Sequence, residues 1–579
     1  MVKEMNSIGK VNFVSYDKLS FEIIDFNKLE FNYDGEFYLL KGVLNFVTIV
    51  NRQNIKFIYK IEKLEDKEQI LSKDENSKFN NTANVLCSPI GFIENNRINF
   101  NLKSYPFLKD DVYLTSNADL EIIFDVNTNR AINLGLIDDK FYANFSINKL
   151  LIFHSAILGN TGSGKSTTIR HILNQITKHN TNNLHLHIFD VHKEYQIKDD
   201  KISIIERYNI PLKSLELQDW INLVKPSDLV QLPILRMALQ LSNLIYSGEI
   251  EKSHLNCYLS YTIYHLGSEA GSTISKIKYL LKDEDVANKD SLFMSFGNKF
   301  LGKGNTPAQA TENSKTLESD FLDCLKNKFP PNFEIDFQDK INQSEYEVTS
   351  FDCLMEALNY VFYLEECKGN TAARNYSATL ETRIKEVQSR YSRFFGDVEE
   401  ENQLNEQVTI YDVSELDDDL LLFLTSYICK KYFNENKNKI LEDRKVNIFL
   451  LEEAHRYISK NKEHSQFYEI EIFRKIAREG RKFGCFLYLS SQRPSELSST
   501  VLSQCNNYLL HRIKNNVDLE YISKTIPYVD SNQLKRLSYL PTGIAYVVGE
   551  LFPIPIEFKV TEPEDNKDVT QTPLIKFSD

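Results

Sequence analysis

No run in these 579 residues approaches the roughly 18 consecutive apolar side chains that a membrane-spanning helix requires. Cysteine is sparse, with eight residues at 87, 257, 324, 353, 367, 429, 485 and 505 and no C-x-x-C pair. That scatter excludes a zinc ribbon or a disulfide framework and fits a reducing cytosol. The opening residues Met1-Val2-Lys3-Glu4-Met5-Asn6 carry no apolar secretory core, so a cytoplasmic protein is expected. Positive charge is not in excess either: 68 Lys and Arg stand against 81 Asp and Glu, a formal net charge of −13. This weighs against a chain coated in phosphate-binding cations. It does not exclude a ring that threads DNA, since only the channel then needs positive charge. What remains is an ordinary globular composition, 42% hydrophobic and 26% charged, in a length that predicts about three to four domains.

The most informative segment is Gly159-Asn160-Thr161-Gly162-Ser163-Gly164-Lys165-Ser166, which fits G-x-x-x-x-G-K-[ST] at every fixed position. The apolar run Leu150 to Leu158 before it reads as a buried strand. After it, Thr167 to Ile176 has helical spacing, with Ile169, Ile172 and Ile176 on one side. In that context the glycines let backbone N–H groups turn in around phosphates, and the helix N-terminus adds partial positive charge. Lys165 is expected to reach the β- and γ-phosphates of ATP, and the Ser166 hydroxyl to complete a Mg²⁺ shell, with Thr167 next in the loop.

The first ~140 residues differ from the rest. Short β-rich runs recur at 11–15, 19–24, 42–50, 55–61, 90–93, 97–100 and 120–124, separated by turn-forming or charged residues, and predict a small β-barrel. The polar stretch Lys73 to Thr82 reads as a surface loop. From about 210 to 400 the chain reads as mainly helical, with apolar spacing at Ile234 to Ile245 and Ala378 to Phe395. Pro233 suits the first turn of the former, where its missing N–H costs nothing. The expected division is a barrel at 1–145, an ATPase core at 146–205 and 401–550, a helical insertion at 206–400 and a C-terminal extension at 551–579.

Strand signals resume at Val408 to Val413, and a helix is expected from about Leu420 to Phe433. The strand Val446 to Leu451 then runs into Glu452-Glu453-Ala454-His455. An apolar strand ending in paired acids is what a Walker B site requires: Glu452 to hold Mg²⁺, partly through water, and Glu453 to polarise the attacking water. A further strand, Cys485 to Ser490, leads to Ser491-Gln492, where a polar side chain at the tip can sense the γ-phosphate. Between these strands, Arg474 to Lys482 is the densest basic segment of the chain. Arg481 is the leading candidate to stabilise charge on the transferring phosphoryl group, with Arg478 and Arg474 behind it; the alternatives for the segment are DNA-backbone contacts or a solvated helix end. The basic segment 383–393 reads as a solvated helix face, with a nucleic-acid or partner contact as the alternative.

Taken together these blocks resemble the HerA-type hexameric translocases, of the FtsK/HerA branch of RecA-like ATPases. The resemblance is carried by 156–166, by Ile188-Phe189-Asp190-Val191-His192-Lys193-Glu194-Tyr195, by 450–457, by 479–484, and by 490–495 with 500–506. It extends from about 8 to 550 and is weakest across the helical insertion. It implies an α/β fold: a RecA-like P-loop core with an N-terminal β-barrel and a helical insertion. It also implies ATP sites between the subunits of a homohexamer, double-stranded DNA through its centre, and Asp190 close to the nucleotide. The family's implied partner is a separate effector at the barrel face, a NurA-type or other nuclease or a sirtuin-type NADase, in DNA-end processing or anti-phage defence.

Two departures from the family pattern stand out. Many members carry Arg immediately before the histidine ahead of the P-loop, and here that residue is Phe153, leaving Arg481 as the substitute in trans. Val191 and Lys193 occupy the Pro and Gly places of the Asp190 block, which bears on the shape of that loop. Two other readings are a ring scaffold in which ATP mainly supports assembly, and a conjugation-type DNA-pumping ATPase.

Overall fold

The computed structural model describes residues 7–563 except 24–25, 34, 41, 43–44, 52, 67–82, 125–129, 180, 196–199, 228, 267–269, 287–311, 397–406, 464–469, 528 and 530. The expected loop at 73–82 lies outside the described residues. The chain divides into two compact units: Met1–Asn182 with Phe486–Ser495 and Ser499–Asp579, and Asn183–Cys485 with Glu496–Ser498.

The first unit begins with β1 (Gly9–Val14), β2 (Leu19–Ile23), β3 (Glu30–Tyr33), β4 (Glu36–Leu39), β5 (Phe46–Val50), β6 (Lys56–Asp66), β7 (Ala83–Glu94), β8 (Arg97–Asn99) and β9 (Asp111–Leu114). In the spatial order β2-β1-β9-β5-β6-β7 these close into a barrel through the β2–β7 pairing, with β8 added beside β7. Alternation explains the closure. Leu19, Phe21 and Ile23, Val47 and Ile49, Phe57, Tyr59 and Ile61, and Val85 and Cys87 all point into one core. Intervening residues take the other face of each strand, as period 2 requires, although Ser20, Thr48 and Ile58 among them are buried as well. β3 and β4 form a separate hairpin.

The expected strand at 120–124 is instead the end of a helix, Asn117–Phe124. Its start decides the matter. Ser116 Oγ accepts the Asp119 N–H at 3.1 Å and donates to the Asp119 carboxylate at 2.8 Å, and the carboxylate also binds Lys56 at 2.7 Å. An N-terminal cap of this kind selects helix over strand for an apolar run too short to show its period.

The remaining strands of this unit are β10 (Ala131–Ile137), β11 (Phe141–Ser146) and β12 (Ser155–Leu158), followed late in the chain by others. β10 and β11 form a hairpin inside the 1–145 segment, yet β10 pairs with a strand at Ile556–Val560, beyond residue 550. The apolar run 150–158 is not one strand. Ile147–Leu151 is helical, and β12 starts only at Ser155.

The second unit holds β13 (Leu184–Asp190), β14 (Ile202–Ile205), the short β15 (Ile210–Pro211) and β16 (Phe395–Gly396), β17 (Val408–Asp412) and β18 (Val446–Leu451). β18, β13, β17 and β14 lie side by side in that order, all parallel. β13 is buried along its whole length, as a central parallel strand must be. Between β15 and β16 the described chain is helical, including Gln231–Tyr246, Lys252–Leu266, Phe351–Cys367 and Ala378–Tyr391. Pro233 sits in the first turn of Gln231–Tyr246. Helix Ala378–Tyr391 stops short of Phe395, which enters β16. Trp220 is fully buried, edge-on to Phe351 with ring centroids 5.9 Å apart. Helix Asp418–Asn438, capped by Asp417, covers the expected helix near 420–433.

The first unit is completed by β19 (Cys485–Ser491), β20 (Asn507–Leu510), β21 (Ile544–Gly549) and β22 (Ile556–Val560), giving the neighbour order β11-β10-β22-β21-β20-β12-β19. β12 is parallel to both β19 and β20, and Leu158 at its end pairs with Ser491 and Leu510. The tips of three strands thus converge where the glycine loop leaves β12.

Candidate nucleotide site

In the first unit, the loop from Gly159 to Gly164 connects β12 to the helix Lys165–Thr177. Gly164 caps that helix with φ 111°, and Gly162 has φ 67°, both in the left-handed region that favours glycine. Gly159 is needed for space: an added Cβ would lie 2.6 Å from the Cβ of His511. Asn160 Oδ1 accepts the Lys514 N–H at 2.7 Å, and the Asn160 N–H donates to the Arg512 carbonyl at 2.9 Å. The chain following β20 therefore clasps the loop from outside.

Lys165 is buried, and its Nζ donates to the Gly159 carbonyl at 2.7 Å. Ser166 and Thr167 are half-buried in the first helical turn, and Ser163 is buried within the loop. His511 Nε2 lies 3.0 Å from Thr168 Oγ1. Burial, and then the nearby Lys165 charge, lower the His511 pKa to about 4, so it meets Thr168 as a neutral ring. Gln492, just past β19, hydrogen-bonds through its side chain to the Thr161 hydroxyl. The residue assigned as γ-phosphate sensor thus touches the phosphate loop itself. His154, beside Phe153, is buried and accepts the Leu487 N–H at 2.9 Å through Nδ1. That histidine holds β19, and Phe153 is half-buried.

In the second unit the acid pair ends β18. Glu452 is buried; Tyr195 donates its hydroxyl to Oε1 at 2.8 Å, and the Val191 N–H approaches Oε2 at 3.3 Å. Burial, then the neighbouring Asp190 and Glu194, push the Glu452 pKa up to about 8. Mg²⁺ needs few protein ligands because it keeps water and phosphate oxygens around it, so a single carboxylate such as Glu452 is compatible with it. Among the described residues no group of three His, Cys, Asp or Glu could hold a metal ion.

Asp190 ends β13 and accepts three backbone N–H groups: His192 at 3.2 Å, Glu194 at 3.1 Å and Tyr195 at 3.0 Å. Burial raises its pKa against the opposing pull of these donors. Its observed contacts shape the loop 191–195. Lys193 takes φ 57°, so a lysine adopts the left-handed conformation at the family's glycine place, with Nζ 3.1 Å from Asp412. Lys193→Gly is accordingly expected to leave the thermal midpoint nearly unchanged. Lys193→Val, with a branched Cβ in left-handed backbone, should cost about 1–2 kcal/mol; thermal unfolding of both variants checks this.

Glu453 is also left-handed, with φ 47°, and buried. Its Oε2 lies 3.3 Å from His455 Nδ1, and its Oε1 lies 3.8 Å from His192 Nε2. Tyr457 is buried and donates to the Glu452 carbonyl at 2.7 Å, fixing the turn between the acids. In the helix Glu471–Phe483, Arg478 and Arg474 both approach Glu471 of their own helix, at 3.3 and 3.8 Å. Arg481 is exposed in the last turn.

The sequence reading gave no role to Tyr195, Tyr457, His192, His455, Thr168 or His511. An E-x-H pairing at Glu453 and His455 was a usable signal. Tyr457 lies five residues from Glu452, whereas Tyr195, His192, Thr168 and His511 meet partners far away in the chain and left no local signal.

A family model described as "Helicase HerA, central domain" matches residues 132–432. The chain belongs to the HerA helicase family. It is a P-loop ATPase of that family, with the β-barrel at its N-terminal end. A protein of Methanocaldococcus jannaschii described as a "Probable helicase" is 24% identical over 502 residues, 83% of this chain and 80% of that one. A second from the same organism, "Probable DNA double-strand break repair helicase HerA", is 25% identical over 443 residues, 74% of this chain and 76% of that one. Among solved structures, VirB4 of Thermoanaerobacter pseudethanolicus aligns at 13% identity and a TM-score of 0.42, covering 76% of this chain and 99% of that one. No helix among the described residues is long and apolar enough to cross a membrane.

Proposed function

We propose that this chain forms a homohexameric ring that hydrolyses ATP to move along double-stranded DNA. The observation that carries the reading is Glu453, a buried carboxylate flanked by two imidazoles in a HerA-family chain with an intact P-loop. Lys165 and the loop N–H groups from Gly159 to Ser166 hold the phosphates, with Thr167 and Asp190 close by. Ser166 and Glu452 are the groups that would hold Mg²⁺, which supplies charge neutralisation to the phosphates. Glu453 accepts a proton from the attacking water. Gln492, already bonded to Thr161, reports the γ-phosphate to the tip of β19. Arg481, exposed at its helix end, acts on a neighbouring subunit in place of the arginine that Phe153 replaces.

In the same reading the chain is the motor of a two-component system. A nuclease, NurA-type or other, or a sirtuin-type NADase docks at the barrel, in DNA-end processing or anti-phage defence in the cytoplasm. ATP turnover and displacement of streptavidin from a biotinylated duplex test the motor. Duplex should raise turnover, and the gain should fade steeply between about 50 and 200 mM salt, because grip on the backbone releases counterions. Turnover indifferent to duplex at every salt concentration would sink the translocase reading.

A further inference from the structure

Catalysis by a carboxylate depends on where its oxygens point as much as on its charge. Glu453 follows a buried strand, yet its backbone is left-handed, a conformation that costs a side-chain-bearing residue about 1–2 kcal/mol. Such a cost persists only where surrounding contacts impose it. The carboxylate itself lies beside two segments, and its Oε2 is buried with no hydrogen-bond partner. His455, two residues on, places Nδ1 at 3.3 Å from Oε2; His192, from the loop after β13, places Nε2 at 3.8 Å from Oε1. His455 is mostly covered, with 17% of its side chain exposed, whereas His192 is 48% exposed.

The loop that carries His192 is itself built. Asp190 gathers the N–H groups of His192, Glu194 and Tyr195, and Lys193 takes the left-handed turn that brings the chain round. Tyr195 then anchors the same loop to Glu452. One loop therefore binds the first acid through Tyr195 and flanks the second through His192.

We propose that His455 and His192 are positioning residues for hydrolysis, each standing beside one oxygen of the Glu453 carboxylate without a hydrogen bond to it: His455 Nδ1 at 3.3 Å from Oε2 and His192 Nε2 at 3.8 Å from Oε1. His455 is the principal one, being nearer and better shielded from water. His192 couples the carboxylate to the Asp190 loop. The inference rests on the reading of Glu453 as the base, and deepens it.

Steady-state ATP hydrolysis by the full chain tests this, with nucleotide affinity measured separately. His455→Ala should lower kcat by about a hundredfold, with KM for ATP within about twofold of the parent. His455→Asn, which returns an N–H donor near the former Nδ1, should recover about tenfold of that loss, and His192→Ala should cost about tenfold. In a Glu453→Gln background, adding His455→Ala should change the residual rate by less than about twofold.

An unchanged kcat in His455→Ala overturns the proposal. So does an equal further loss in the Glu453→Gln background, or an Asn variant no better than Ala at the same thermal midpoint. A Glu453→Gln protein that turns over at the parental rate instead overturns the underlying assignment of the base, whatever the histidine variants do.

Discussion

Glu453→Gln is expected to lower ATP turnover by about 10²- to 10⁴-fold with ATP still bound, because the amide keeps the shape of the carboxylate but cannot accept a proton. The site is built for this contrast. Glu453 is only 7% exposed, so no bulk water easily replaces its role, and its neighbours His455 and His192 can also face a glutamine oxygen. The fold should therefore survive, with nucleotide trapped in a slowly cycling protein. Turnover measured beside equilibrium nucleotide binding checks the prediction. The same variant separates motor from scaffold: if effector function persists when hydrolysis is abolished, scaffolding wins.

Lys165→Ala should lose both binding and turnover, with kcat/KM falling on the order of a hundredfold or more, since a charge-assisted phosphate contact carries about 1.5–3 kcal/mol and phosphoryl transfer adds charge to be met. Here Lys165 Nζ rests 2.7 Å from the Gly159 carbonyl, inside the loop that phosphate would enter. Its loss leaves backbone N–H groups and the Ser166 hydroxyl in place, so weak binding persists at high ATP. Titration of ATP against both variants distinguishes them. Lys165→Ala fails on affinity first, and Glu453→Gln on rate alone. Equal affinity in parent and Lys165→Ala would contradict the assignment.

Much of this was legible from residues near one another in the chain. A phosphate loop must place glycines and a lysine at fixed spacing within one turn, so Gly159 to Ser166 declares itself. The β-rich runs of the first ~140 residues also announce a barrel, since period-2 burial is local. Where a run was apolar but short, local pattern failed. Residues 120–124 became helix because Ser116 and Asp119 cap them, and 147–151 became helix ahead of a shorter β12. Phe153 and Lys193 show the limit differently. Sequence identified both as departures, but only the backbone angle at Lys193 shows that the loop keeps a glycine-like turn without glycine.

The sequence by itself determined the chemistry on offer: a phosphate loop, an acid pair at a strand end, a polar strand tip and the HerA-type order of blocks. These are short-range properties, fixed by what one strand, turn or helix start can do. The tertiary structure alone decided which distant side chains serve them. Tyr195 reaches Glu452 across 257 positions, Gln492 reaches Thr161 across 331, and His511 reaches Thr168 across 343. Parallel strands bring their ends together from far apart in the chain, and the spacing of residues along that chain does not encode which ends will meet.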